Sequence, residues 1–309
     1  MDFNNENITD LLQTHSYFKA YGGANGNKVA MKINDKIYMV KFPPTAKTTA
    51  INSYTNGTIS EYVSCRIIET LGLDVQKTFL SKVDLGDKEK LVVVCEDFEI
   101  DDWSLFEFAM IKNSCINSDT GGYNTELEDV LNSIHEQTFM PSDELEEYFW
   151  SLFFVDTLLG DFDRHNGNWG LLVNNQKGIV APSPIYDCGS CLYPQLDDLT
   201  MEQYLNDMEE IDKRVFVFPQ SALKINGKKI NYYDFLMSTD NQCCLEVFEN
   251  LYQQIDMELI YQVIEETPYI SDVRKQFYQT MVSNRYEKII EPVHEKIIEI
   301  QEINKGMCL

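Results

Sequence analysis

The first hundred residues show the short alternation of apolar and polar positions that is typical of β-strands. Residues 29–33 alternate in this way, and the alternation resumes over residues 37–42. Asn34-Asp35 lies between the two runs and is a common turn pair, whereas Pro43 cannot donate to a strand ladder. The pattern therefore predicts a β-hairpin whose second strand stops at Pro43.

After this hairpin, the apolar residues have the spacing of one face of a helix. The residues that share its apolar face are Tyr62, Cys65, Ile68 and Leu71. Thr58 and Glu61 have the spacing of a capping box, in which two side chains satisfy the N–H groups at the start of a helix. Gly72 stands where a C-terminal cap belongs. We therefore expect a helix that begins at Thr58 and ends before Gly72, followed by strands near residues 78–83 and 91–95.

Beyond residue 98 the pattern becomes mostly helical. An apolar stripe over residues 145–153 predicts a helix that runs into Gly160, and residues 171–180 predict a second hairpin. Further helix candidates are residues 233–236, 245–255, 259–264 and 286–300. We predict an α+β, bilobal fold, with a small β-rich N-lobe at residues 1–98 and a larger, mostly helical C-lobe at residues 99–309.

The composition limits the classes of partner. Of 309 residues, 44% are hydrophobic, and 50 acidic residues against 25 basic ones give a formal net charge of -25. Such a surface repels phosphate backbones, so we expect no direct nucleic-acid binding and no docking on anionic membranes. The acidity has two interpretations that the sequence leaves open: it promotes solubility, or it favours basic substrates.

The N-terminus and the cysteines bear on location. Residues 1–10 are polar and lack the features of a secretory signal, and no apolar run is long enough to cross a bilayer. We expect a cytoplasmic protein, or one exported by a route without a classical signal peptide. The eight cysteines are scattered, which indicates reduced thiols. Cys188 and Cys191 form a lone CxxC, and two packed thiols are a better interpretation than a zinc or redox site.

Candidate chemistry lies at residues 160–168, directly after the long predicted helix. Asp163 and Asn168 have the Asp-x-x-x-x-Asn spacing of protein-kinase catalytic loops, where Asp orients the acceptor hydroxyl and Asn binds Mg²⁺. Asp187 follows in an Asp-x-Gly sequence, the form of the metal-binding aspartate of kinases. The ordered pair predicts a shared role in phosphoryl transfer. The alternative is that Asp163 and Asn168 only cap a turn.

A glycine-rich stretch precedes the first hairpin strand, and its backbone N–H groups suit phosphate. Its residues are Gly22, Gly23, Ala24, Asn25, Gly26, Asn27 and Lys28. It is not a Walker A motif, because Val29 follows the lysine. Without the later motifs, an ordinary turn would be the default interpretation.

Lys41 shares strand parity with two apolar residues, so its side chain should point to an apolar-flanked face. A lysine that points inward needs an anionic partner, and either an ATP phosphate or Glu61 would serve. The alternative is a lysine at the end of a strand that extends to water beside Pro43.

Two further positions complete the candidate site. Glu96, Asp97 and Phe98 fall where a hinge between the lobes would lie, and adenine would then bind backbone groups there. His165 is a candidate of the catalytic loop, and a bracing role is favoured over that of a catalytic base.

These residues resemble the HipA-like serine/threonine kinases, in which an Asp-x-His-x-x-Asn loop is followed by a Tyr-Asp metal motif. The segments that carry the resemblance are residues 22–32, 39–43, 60–62, 163–168 and 186–187. The short, free-standing members are the most similar, through residues 22–28, 53–57, 156–160, 187–195 and 231–236. The resemblance implies a protein-kinase-like fold and phosphorylation of serine or threonine that depends on ATP and Mg²⁺.

Two departures from the family pattern change the expectations. HipA toxins carry an N-terminal segment that helps to engage an antitoxin, and only about twenty residues precede Gly22 here, so the sequence leaves an antitoxin partner open. The family's regulatory serine has no counterpart within residues 19–22, so inhibitory autophosphorylation should be absent there. The remaining candidates for autophosphorylation include Thr48, Thr49, Ser53, Thr55 and Thr58.

Two rival functions remain open. Asp-Arg-His-Asn, as in residues 163–166, also occurs in phosphoinositide-kinase loops, so a lipid or small-molecule kinase is one alternative, although the acidic surface counts against it. A catalytically silent, toxin-like binding module is the other. It is disfavoured because Lys41, Asp163, Asn168 and Asp187 are all intact.

Overall fold

In the computed structural model, the described residues are 1–22, 28–44, 55–86, 88–116 and 119–307. The N-terminal part contains a five-stranded antiparallel sheet in the order β1-β2-β3-β5-β4. Its strands are β1 (Ser16–Tyr17), β2 (Lys28–Ile33), β3 (Lys36–Lys41), β4 (Thr78–Leu85) and β5 (Lys88–Glu96). A short helix, α1 (Thr9–Thr14), precedes the sheet.

The predicted hairpin is confirmed by β2 and β3. Asn34 and Asp35 between them have φ values of 49° and 63°, the left-handed conformation that two-residue hairpin turns require. The register places Lys28 opposite Lys41, at the end of the hairpin away from the turn. Strand β3 ends at Lys41, shortly before Pro43.

The helix against this sheet is α2 (Gly57–Thr70), and its N-cap residue is Asn56. The predicted capping box is therefore wrong, since Thr58 already lies within the first turn and makes no cap. The Glu61 side chain is instead turned toward the sheet, where it pairs with Lys41. The C-terminal prediction is confirmed, because Gly72 follows the helix with φ of 73°.

The larger part begins with a three-stranded sheet in the order β6-β7-β8. Its strands are β6 (Trp103–Glu107), β7 (Gly170–Asn174) and β8 (Ile179–Pro182). The β7–β8 hairpin was predicted, but β6 was not. Strand β6 pairs with a segment far along the chain, and every one of its residues is only partly buried, so no clean alternation marks it.

Helices make up most of the remainder. They are α3 (Phe108–Cys115), α4 (Leu127–Glu136), α5 (Ser142–Leu159), α6 (Asp198–Leu205), α7 (Met208–Phe216), α8 (Tyr232–Ser238), α9 (Gln242–Tyr252), α10 (Met257–Glu265), α11 (Asp272–Arg285) and α12 (Glu291–Met307). A π-helical turn, Tyr286–Ile290, joins the last two. A short hairpin, β9 (Lys224–Ile225) and β10 (Lys228–Lys229), precedes α8. Among the predicted helices, those near residues 233–236, 245–255, 259–264 and 286–300 are confirmed.

Helix α5 lies at the centre of the larger core. Trp150, Phe153 and Phe154 on it are buried, and the ring centroid of Phe154 lies 4.9 Å from that of Phe248 on α9. The helix ends at Gly160, whose φ of 70° gives a left-handed C-terminal cap. This buried helix fixes the point at which the next loop begins.

The architecture confirms the α+β, bilobal prediction, since a β-sheet part is followed by a larger helical part. The division at residue 98 stays a prediction. Among the described residues, no helix is long and apolar enough to cross a membrane.

Candidate active site

The loop after α5 folds back on itself through main-chain hydrogen bonds. The N–H of His165 donates to the carbonyl of Asp163 at 2.7 Å, and the N–H of Asn168 donates to the carbonyl of His165 at 2.8 Å. The Asn168 side chain also donates to the Asp163 carbonyl, at 3.1 Å. Asp163 and Asn168 are therefore brought together by one compact turn.

The His165 ring belongs to this turn. Its Nδ1 accepts a hydrogen bond from the N–H of Gly167 at 3.0 Å, and the edge of the Tyr123 ring lies against it. This placement agrees with a bracing role for His165.

Arg164 joins three parts of the site and is 6% exposed. Its guanidinium donates to the carbonyl oxygens of Asn168 and Tyr186, at 3.2 and 2.6 Å. It also pairs with the Asp156 carboxylate of α5 at 3.1 Å and with that of Asp161 at 3.5 Å. The sequence analysis assigned no role to Arg164. The available signal was the pair of aspartates that flank the end of α5.

Lys41 points inward, as its strand parity predicted, and is 8% exposed. Its ammonium lies 2.5 Å from a carboxylate oxygen of Glu61 and 3.0 Å from one of Asp187. Burial by itself would lower the pKa of Lys41, but the two carboxylates outweigh it and hold that pKa well above its usual value.

The two carboxylates respond differently to this environment. Burial raises the pKa of Glu61 to about 7, because the attraction of Lys41 only partly offsets the loss of water. In Asp187 the charge of Lys41 prevails over burial and lowers the pKa to about 2. Asp187 has φ of 56°, an uncommon conformation for a residue with a side chain. The Asp187 carboxylate is therefore ionised over the physiological range.

Asp163 and Asp187 are electrostatic neighbours. Burial raises the pKa of Asp163, and the negative charge of Asp187 adds to this rise. Arg164 donates to the carbonyl of Tyr186, just before Asp187, and to that of Asn168 in the turn that carries Asp163. This link restrains the position of one carboxylate relative to the other.

The glycine-rich stretch is only partly within the described residues, since residues 23–27 lie outside them. Of the residues at its ends, Lys28 donates to the main-chain oxygen of Gly22. Burial and the nearby charge of Lys41 both lower the pKa of Lys28. A second lysine therefore lies beside the Lys41 cluster.

The predicted hinge residues use their side chains elsewhere. The Glu96 carboxylate pairs with Lys36 at 2.5 Å. The Asp97 carboxylate accepts hydrogen bonds from Lys19 at 2.7 Å and from the Tyr21 hydroxyl at 2.8 Å. Phe98 lies against the Tyr186 ring, with 5.6 Å between centroids. The carboxylates of Glu96 and Asp97 are therefore engaged within the protein, and the binding of adenine to this segment stays a prediction.

The CxxC thiols are buried beside the site and are not joined by a disulfide bond. The Cys191 thiol donates to the Asp161 carboxylate at 3.3 Å, and Arg164 lies 3.6 Å from the Cys188 sulfur. Within the described ranges there is no group of three His, Cys, Asp or Glu side chains that could hold a metal ion. The two thiols are packed in the protein interior, as the sequence analysis expected.

Comparison with known proteins decides the family. A family model described as the HipA-like C-terminal domain matches residues 20–267, which is most of the chain. This chain belongs to the HipA-like family.

Individual relatives give a finer picture. The serine/threonine-protein kinase CtkA of Helicobacter pylori strain J99 is 46% identical over 283 residues, which cover 91% of this chain and 86% of CtkA. The crystal structure of the H. pylori proinflammatory kinase CtkA matches with a TM-score of 0.89 and 43% identity, over 96% of this chain and 98% of that one. The predicted family, its likeness to the short free-standing members and the kinase class are confirmed.

A more distant likeness concerns the fold alone. HipA of Shewanella oneidensis MR-1, solved in complex with HipB and operator DNA, matches with a TM-score of 0.52 and 14% identity. The match covers 91% of this chain and 70% of HipA. The roles of individual site residues stay predictions after these comparisons.

Proposed function

We propose that this protein transfers the γ-phosphate of ATP, bound with Mg²⁺, to a serine or threonine hydroxyl of a protein substrate. The observation that carries the proposal is the cluster of Lys41, Glu61 and Asp187 beside Asp163. The Lys41 ammonium and the carboxylates of Glu61 and Asp187 lie between the five-stranded sheet and the turn of residues 163–168, called the catalytic turn below. Phosphoryl transfer needs this combination of charges.

The donor set fits Mg²⁺. Asp187 supplies an ionised carboxylate, and the Asn168 amide nitrogen is used by the Asp163 carbonyl, which leaves the Asn168 carboxamide oxygen as a ligand. Mg²⁺ prefers oxygen ligands and is commonly held by one or two side chains together with substrate phosphates. The absence of a group of three acidic, His or Cys side chains among the described residues agrees with such a shared site. The ion would neutralise charge on the phosphates.

The other residues act by binding and orientation. Lys41 would pair with ATP phosphates while Glu61 holds its side chain in place. Asp163 would accept a hydrogen bond from the acceptor hydroxyl and direct it at phosphorus. The raised pKa of Asp163 makes it a better acceptor of that proton than an exposed aspartate. Residues 22–28 would cover the phosphates.

Adenine would bind to the backbone of the hinge segment. The N–H groups of Glu96 and Asp97 already donate to the carbonyls of Lys77 and Ile37. The groups that could recognise adenine therefore begin at the Asp97 carbonyl and include the main chain of Phe98.

Self-phosphorylation is part of this proposal. Among the sequence candidates, Thr48, Thr49 and Ser53 lie outside the described residues. Thr58 is 5% exposed within α2, so its hydroxyl is not presented to a second active site in this conformation. Mapping of phosphorylated residues by mass spectrometry would therefore be expected to exclude Thr58.

The test uses purified protein, ATP labelled at the γ-phosphate, Mg²⁺, a basic protein substrate and a panel of lipids. We expect phosphoserine or phosphothreonine on protein, and its loss in Asp163→Asn. Asp35→Asn is the matched control, because the Asp35 side chain is 99% exposed at the tip of the β2–β3 hairpin. Label on lipid alone would replace the proposal with the lipid-kinase alternative, and full labelling by folded Asp163→Asn would overturn the role of Asp163.

A further inference from the structure

The short hairpin β9–β10 lies against the catalytic turn. Lys229, the last residue of β10, donates from its ammonium to the carbonyl of Phe162 at 3.4 Å, one residue before Asp163. The Lys229 side chain is otherwise exposed. Burial raises the pKa of Asp163, and the positive charge of Lys229 is close enough to act against this rise.

The chain segment that carries Lys229 is held by contacts of residues before and after it. At the hairpin tip, the N–H of Gly227 donates to the Glu126 carboxylate at 2.7 Å. After β10, Ile230 is buried, and the hydroxyl of Tyr232 donates to the carbonyl of Asp161 at 2.5 Å. The segment that carries Lys229 is therefore anchored directly to the loop that carries Asp163.

Two other cations of the site, Arg164 and Lys41, already pair with carboxylates. Arg164 is buried and bonded to Asp156, Asp161 and main-chain carbonyls, and it is the sole Lys or Arg of residues 160–168. Lys41 is held between Glu61 and Asp187. The ammonium of Lys229 has three N–H donors, and its contact at the loop is a single neutral carbonyl. Within the part of the chain that the structure describes, no carboxylate forms an ion pair with it.

We propose that Lys229 is a catalytic residue that contacts the γ-phosphoryl group during its transfer to the hydroxyl held by Asp163. The inference rests on the proposed function. In the transfer, the bond between the γ-phosphorus and the β,γ-bridging oxygen breaks, the acceptor oxygen bonds to phosphorus, and ADP leaves. The hydroxyl proton passes to Asp163 and then to water.

Lys229 takes no part in the proton transfer of this step. Its charge would act on the equatorial oxygens of the transferring group, where negative charge is spread in the transition state. A preorganised donor of this kind acts mainly on the transition state and therefore on kcat. Because Lys229 comes from a hairpin outside the catalytic loop, the loop motif itself gives no sign of it.

The test compares Lys229→Met with Lys228→Met in the full chain. Lys228 is exposed on the same strand, and successive strand side chains point to opposite faces, so Lys228 points away from the turn. We expect Lys229→Met to lower kcat about 100-fold, with an unchanged melting temperature. Lys228→Met should keep the wild-type kcat, and Lys229→Arg should recover part of the loss because it retains the charge.

A second measurement separates contact with the phosphoryl group from mere positioning of Phe162. Binding is measured for ADP with Mg²⁺, with and without aluminium fluoride, which mimics the transferring group. We expect Lys229→Met to weaken binding with the fluoride and to leave the affinity for ADP alone unchanged.

Two results would overturn this role while the wild type remains an active kinase. They are a wild-type kcat in Lys229→Met, or a lower kcat with no selective loss of binding in the presence of fluoride. Failure of the wild-type protein to transfer phosphate would instead overturn the proposed function, and this role with it.

Discussion

The ammonium of Lys41 lies 3.0 Å from the carboxylate of Asp187, although the two residues are 146 positions apart in the chain. The contact joins β3 of the small sheet to the segment that follows β8. It exists because Lys41 points inward and because Asp187 adopts a left-handed backbone conformation with φ of 56°. The candidate site is therefore assembled from both lobes. We expect substitutions in either lobe to alter its activity.

Replacement of Lys41 tests this assembly. Lys41→Met leaves the Glu61 carboxyl buried without its cation, and breaking a buried pair from one side costs about 3 kcal/mol of unfolding free energy. Phosphotransfer should be lost as well. Urea denaturation and a kinase assay measure the two effects. Lys36→Met is the control on the same strand, because the Lys36 side chain is exposed and a solvent-exposed ion pair contributes little to stability.

The pH dependence of stability depends on Glu61. Its pKa rises from 4.5 in the unfolded chain to about 7 in the folded protein, so folding favours the protonated form between these values. The stabilisation is full below the lower value and is lost as the pH rises to about 7. We expect the unfolding free energy to fall over this window, and to fall less in Glu61→Gln. Parallel curves for the two proteins in urea titrations at several pH values would contradict the raised pKa.

Arg164 should matter for both fold and activity. Arg164→Lys keeps the charge but cannot reach Asp156, Asn168 and Tyr186 together, because an ammonium lacks the planar fork of a guanidinium. We expect Arg164→Lys to lower the unfolding free energy by about 3 kcal/mol and to lower kcat at saturating ATP. Arg66→Lys, at an exposed pair on α2, should change neither quantity. Equal melting temperatures for the two variants would show that the buried network is not a determinant of stability.

Gly160 offers a test of the turn between α5 and the catalytic loop. A Cβ at this position would come within 2.9 Å of the Pro219 ring, and φ is 70°. Gly160→Ala therefore combines backbone strain with a steric clash, and we expect it to cost about 2 kcal/mol or more. Gly178→Ala is matched in φ, at 63°, but has open space around the added carbon. The difference between the melting temperatures of the two variants measures the cost of the clash. Equal melting temperatures would show that the chain around Pro219 shifts to accommodate the added carbon.

Much of the local structure could be predicted from the sequence, because it depends on neighbouring residues. The β2–β3 hairpin follows from its alternation and the Asn34-Asp35 turn, and α5 follows from its stripe and Gly160. The spacing of Asp163 and Asn168 likewise predicted that both residues belong to one loop, and the Asn168 side chain donates to the Asp163 carbonyl within it. The inward direction of Lys41 followed from strand parity alone.

Other features were decided by packing between distant segments. The sequence left two roles open for Glu61, as a capping residue and as a partner of Lys41, and the structure shows the pair with Lys41. Arg164 and Lys229 have no distinctive local pattern, and their roles depend on Asp156, the hairpin β9–β10 and the end of α5, which are brought together by the fold.

The sequence by itself therefore determined many of the elements, the family and most of the candidate residues for phosphoryl transfer, but it did not show strand β6 or helices α3, α4, α6, α7 and α11. Only the tertiary structure decided how these residues are paired, since that depends on which side chains share a buried space. The physical reason is that periodicity and turn propensity act over a few residues, whereas burial of a charge selects its partner from anywhere in the chain.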